Sequence, residues 1–194
     1  MSNEQQPQSG QEHGEEQRPR PSIYVASLSD YNAGRLHGAW IDAGQPAEEL
    51  QAAISEMLAA SPERGAEEWA IHDYEGFGGV RLSEFESIEH VAQLAHGIAE
   101  HGPAFAAWAV YVGSEGWGDL ERFEDCYLGH YDSLSDYADD LLDGCGVLSA
   151  VEEAAGSFEP YVRVDTEAFG SDLVLGGDVI AVDDPKGGIF LFGP

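Results

Sequence analysis

The sign of the charge constrains this 194-residue chain more than any motif does: 37 Asp and Glu face 8 Lys and Arg, a formal net charge of −29 at pH 7. Seven of the eight cations are Arg and the eighth is Lys186. The charged fraction, 23%, is ordinary for a globular protein, so the anomaly lies in the sign and not in the number. A chain that repels itself this strongly needs a substantial core, and 43% hydrophobic residues with four Trp, eight Tyr and eight Phe supply one. The same charge excludes nucleic-acid binding through a basic patch and adhesion to an anionic membrane. Its partners are therefore expected to be cationic.

No apolar run approaches the ~20 residues of a membrane span, and no basic region followed by an apolar stretch opens the chain. Cys126 and Cys145 are too few and too far apart for a CxxC motif or a disulfide framework, so a cytoplasmic location is expected. Residues 1–21 hold five Gln, four Glu and three Pro with no large apolar residue after Met1, the composition of a disordered tail.

Order is expected from residue 22. Strands are predicted over 23–28 and 36–42 around a turn at 30–34, then a helix over 47–60 between Pro46 and Pro62, then a strand over 67–74 in strict alternation. Helices follow over 88–100, capped by Ser87, and over 103–112, apolar nearly all round and so expected to be buried. A loop at 113–118, a short helix at 119–124, a strand at 126–130 and helices at 134–142 and 160–173 lead to a hairpin of 179–182 and 189–192. This pattern predicts an α+β chain of three small units in an elongated arrangement, 22–87, 88–125 and 126–194, with an acidic surface.

Motifs for catalysis or cofactors are missing. The run Gly76-Phe77-Gly78-Gly79-Val80-Arg81 lacks the third Gly of GxGxxG, no P-loop Lys exists, and no EF-hand loop occurs among the acids. His90, His96 and His101 are spaced 6 and 5 apart and do not form the i, i+4 pair of an HExxH zinc site. The His72-Asp73 pair invites a hydrolase reading, but no GxSxG accompanies it, and strict strand alternation would point the two side chains apart. No enzyme activity, metal or cofactor is expected.

The acids themselves carry the signal. Between residues 119 and 143 stand nine carboxylates, Asp119, Glu121, Glu124, Asp125, Asp132, Asp136, Asp139, Asp140 and Asp143, and one cation, Arg122. On the predicted helix 134–142, Leu134, Tyr137, Ala138, Leu141 and Leu142 form one face, while Asp136, Asp139, Asp140 and the following Asp143 share the other. Such excess acid serves solubility or a salt-rich host equally well; a carboxylate array can also present negative charge to a site built for phosphates. Over residues 22–194 the net charge of −27 equals that of roughly 46 Å of duplex, about 13 base pairs, at ~1.7 Å per charge.

Three stretches carry a family resemblance: the strand-turn-strand from Tyr24 to Trp40 with Ser29-Asp30-Tyr31-Asn32 and Gly34-Arg35-Leu36-His37-Gly38 inside it, the segment Ala70-Ile71-His72-Asp73-Tyr74-Glu75-Gly76, and Ala168-Phe169-Gly170-Ser171-Asp172-Leu173. In this order and combination the chain resembles the ArdA antirestriction family over residues 23–192. The resemblance implies a three-domain, DNA-mimicking homodimer, often encoded on mobile elements, that occupies the DNA-binding groove of type I restriction-modification enzymes. A different class of function stays open beside it, that of an acidic binding protein or chaperone for a basic, DNA-binding partner.

Overall fold

The computed structural model describes residues 20–194. The expected tail, residues 1–21, lies outside the described residues except for Arg20 and the buried Pro21. Among the described residues, six strands form two three-stranded antiparallel sheets accompanied by eight α-helices. None of these helices is long and apolar enough to cross a membrane.

The first sheet has the order β2-β1-β3, built from β1 (Ser22–Ser27), β2 (Gly38–Asp42) and β3 (Trp69–Glu75). Ile23 and Val25 of β1 pair with Ile41 of β2 and Ile71 of β3 along a buried face. Leu50, Ile54 and Met57 of α2 (Ala47–Ala59) join the same core. The expected turn at 30–34 begins instead as a short helix, α1 (Leu28–Asn32). Ser27 caps it, its Oγ accepting the Asp30 backbone N–H at 3.4 Å, and the Ser-x-x-Asp spacing is itself a capping pattern. Strict alternation in β3 also fails. A register shift opposite Tyr24 and Val25 inserts one extra residue, and His72 and Asp73 are both exposed.

Helices α3 (Ile88–His101) and α4 (Pro103–Val112) form a hairpin at Gly102. Gly97 permits their approach: a Cβ there would lie 2.3 Å from the Phe105 ring. Helix α4 is buried at Ala104, Phe105, Ala106, Trp108 and Ala109, but Val110 and Tyr111 remain exposed, so it is not enclosed on every side. The expected loop and short helix after Gly113 form a single 3-10 stretch, Ser114–Arg122, followed by α5 (Phe123–Cys126).

The second sheet, β4-β6-β5, comprises β4 (Tyr127–Tyr131), β5 (Ile180–Asp183) and β6 (Ile189–Phe192). Its turn closes through Asp184 N–H to the Gly188 oxygen at 3.0 Å and Gly187 N–H to the Asp184 oxygen at 2.9 Å. Phe190 and Phe192 join Trp108 and Phe123 in the hydrophobic cluster that also contains Ile23 and Val25, so one core runs through both sheets. Between β4 and β5 lie α6 (Leu134–Gly144), α7 (Val147–Ala155), a 3-10 turn (Gly156–Tyr161) and α8 (Thr166–Gly176). Helix α7 was not expected. The last long helix starts at Thr166 and not at Pro160, because Asp165 caps it, its Oδ1 accepting the Ala168 N–H at 2.9 Å, while Pro160 sits inside the 3-10 turn.

Candidate functional site: an acidic ridge

The nine acids of the candidate ridge are spread over the segment from the 3-10 stretch to α6. Asp119 and Glu121 stand on the 3-10 stretch, Glu124 and Asp125 on α5, Asp132 just past β4, and Asp136, Asp139, Asp140 and Asp143 on α6. All nine carboxylates are exposed. On α6 the division is the one that helical period dictates: Ala138 and Leu142 are buried, Leu134, Tyr137 and Leu141 half-buried, and the four Asp face outward.

Local chemistry fixes this helix. Ser133 caps it, accepting the Asp136 N–H at 3.2 Å while its hydroxyl donates to the Asp136 carboxylate at 2.5 Å. Its inner face meets α8, where a Cβ on Gly170 would lie 2.7 Å from the Leu134 carbonyl oxygen, so only Gly fits at this crossing. Ser135 and Thr166 hydroxyls bond at 2.8 Å across the same contact. Tyr137 packs edge-on to Tyr131 at 5.2 Å, and burial together with that neighbour raises its phenol pKa above the ordinary range. Arg122, the one cation in the stretch, donates from Nη2 to the Pro194 backbone oxygen at 3.3 Å. From Asp136 to Asp143 four carboxylates share ~10.5 Å of helix axis, one per ~3 Å and about half the linear charge density of duplex DNA.

The arrangement is a field of exposed negative charge. It can attract, space and orient cationic groups. A family model described as antirestriction protein (ArdA) matches residues 23–186, most of the chain. The chain belongs to the ArdA antirestriction family. No curated protein matches it. The ArdA match spans the strand-turn-strand, the acidic ridge and Gly170, so it covers both the ridge and the contact that holds α6 in place.

Two further groups of ionisable residues were not expected. Asp30 is fully buried, accepting from the Ser61 hydroxyl at 2.5 Å and from Arg35 Nε at 3.4 Å, while Arg35 also pairs with Glu63. The Ser61 hydrogen bond, seconded by those of Ser27 and Arg35, outweighs burial and holds the carboxyl below its usual pKa. The group ties α1 to the residues after α2. Elsewhere Glu100, His101 and Glu124 bring one ligand atom each to within 4.8 Å of one another, the described residues best placed to hold a cation. His90, His96 and His101 each lie within 4 Å of a glutamate oxygen, of Glu86, of Glu100, and of Glu100 and Glu124 respectively. The adjacency of Glu100 and His101 was visible in the sequence; Glu124 joins them only through the fold.

Proposed function

We propose that this chain blocks restriction by mimicking B-form DNA, its acidic ridge occupying the DNA-binding groove of a type I restriction-modification enzyme. The observation that carries the reading is the ridge itself: nine exposed carboxylates between residues 119 and 143, with the single intervening cation turned onto the Pro194 backbone. A groove that binds duplex holds cations spaced for phosphates, and carboxylates carried on a folded chain meet them without the ~1–6 kcal/mol that bending a duplex costs. Membership of the antirestriction family supports the same reading. The protein acts without catalysis or cofactor. Its working form in this reading is a cytoplasmic homodimer, elongated over the units 22–87, 88–125 and 126–194 and carried on mobile elements.

A gel-shift competition tests it. The chain is titrated into a complex of a type I methyltransferase with its recognition duplex, and stoichiometric displacement of the DNA is expected. A chaperone for loose basic proteins would leave that complex intact and protect unstructured basic chains instead, and this outcome would overturn the mimicry.

A further inference from the structure

The first sheet buries one face and leaves the other uncovered at four outward side chains. Two cross-strand rows define that outer face. Asp42, Ser22 and Glu75 stand opposite one another in the first row, and Trp40, Tyr24 and Asp73 in the second. Residues two apart on a strand share a face, so both rows point the same way, ~7 Å apart along the strands and ~5 Å from strand to strand. Trp40 is 50% exposed, its ring centroid 5.6 Å from that of Tyr24 at a tilt of 53°. Asp42, Asp73 and Glu75 are all exposed, and β1, β2 and β3 contain no Lys or Arg.

Trp40 stands half-exposed on the edge strand β2, with one acid on its own strand and two across the sheet. A ring face attracts a cation, and carboxylates at its margin complete the shell. The planar guanidinium suits this geometry better than an ammonium does, because it stacks on the ring while its edge donates to carboxylate oxygens. We propose that the outer face of the first sheet takes an arginine side chain of the basic protein partner, stacked on Trp40 beside the tilted ring of Tyr24, with its edge toward Asp42 and the charge of Asp73 on the far side of the tyrosine. The inference rests on the function proposed above for the identity of the partner. It adds a second contact surface, selective for arginine, to a ridge that acts through charge alone.

The probes are tetra-arginine amide and tetra-lysine amide, equal in charge, titrated into the full chain while the Trp40 indole N–H is followed by NMR. The arginine peptide is expected to shift that signal and to bind about two- to fivefold more tightly than the lysine peptide. Trp40→Leu should remove the preference and leave the weak, salt-sensitive binding common to both peptides. Asp42→Asn with Asp73→Asn, which keeps the indole, should weaken both. Equal affinities for the unaltered chain, or a preference that survives Trp40→Leu, would overturn the assignment. So would a Trp40 signal that moves, without peptide, when Arg18 and Arg20 are replaced by Gln, since the chain's own arginines would then be the occupant. Failure of the unaltered chain to inhibit any type I enzyme would overturn the function above and with it this partner. Loss of the arginine preference with inhibition intact would overturn only the role of this face.

Discussion

Replacing Gly170 by Ala tests the contact that orients the ridge. The new Cβ would stand 2.7 Å from the Leu134 oxygen and 3.0 Å from the Leu134 Cβ, whereas ordinary contact begins at 3.4 Å, so the two helices must separate by about 0.7 Å. The obstructing atoms are a backbone carbonyl and a Cβ at the first residue of α6, neither of which can rotate away. Overpacking of this kind costs ~1–3 kcal/mol, and Ala returns ~1 kcal/mol of helix propensity. The net loss is up to ~2 kcal/mol. Gly144→Ala supplies the control: Gly144 ends α6, no atom lies within 4 Å of its Cβ position, and the propensity gain, smaller at a helix end than inside it, should appear unopposed. Urea unfolding followed by circular dichroism should therefore move the midpoint down for Gly170→Ala and up for Gly144→Ala. Equal, upward shifts for both would show that α6 and α8 are not in close contact, and the account of how the ridge is held would fail.

Neutralising Asp139, Asp140 and Asp143 together to Asn should raise stability by a few tenths of a kcal/mol per close pair while weakening inhibition of a type I enzyme in graded fashion; one single substitution that abolishes inhibition in a folded protein would contradict a distributed site. Asp136 is left out because its carboxylate bonds to the capping Ser133. Affinity for the methyltransferase should fall less steeply with salt than that of DNA, which loses ~0.9 in log K per log salt for each phosphate neutralised; titrations at three salt concentrations check this, and an equal slope would speak against carboxylates replacing phosphates. Because Asp30 is held below its usual pKa, its contribution to stability is complete above the ordinary carboxylate value near 4 and is lost as pH falls through the lower folded value. Ser61→Ala and Asp30→Asn should both narrow that acid-dependent difference, measured as unfolding midpoints of variant against unaltered chain from pH 6 to pH 3.

Most helix limits were legible because Pro and Gly mark them locally: Pro46 before α2, Gly102 and Pro103 between α3 and α4, Gly113 after α4. The outward face of α6 was legible for the same reason, since period alone separates Leu142 from Asp143. What escaped depends on partners distant in the chain. The bulge that exposes both His72 and Asp73 is a property of β3 against β1, and no reading of β3 by itself contains it. The burial of Asp30 needs Ser61 and Arg35 brought to it, although its capping pattern with Ser27 was there to be read. Helix α7 escaped for the opposite reason: it buries no residue, so its apolar positions mark no core. Trp40 was placed on a strand, but only the pairing with Tyr24 and Asp73 shows what shares its face.

The main hydrophobic cluster threads both sheets and α2 to α5 but takes nothing from residues 134–176. Those three helices rest on a small inner seam, with Ala138, Leu142 and Gly170 as its buried positions. Amide hydrogens there are therefore the ones that exchange through partial opening, at a free energy below that of global unfolding, while β1 and α3 hold theirs until the whole molecule melts. An insertion that carries four of the nine acids can thus loosen and re-form on a folded base. A cationic surface pressed against it would slow that exchange, which makes protection of α6 amides a label-free gauge of engagement.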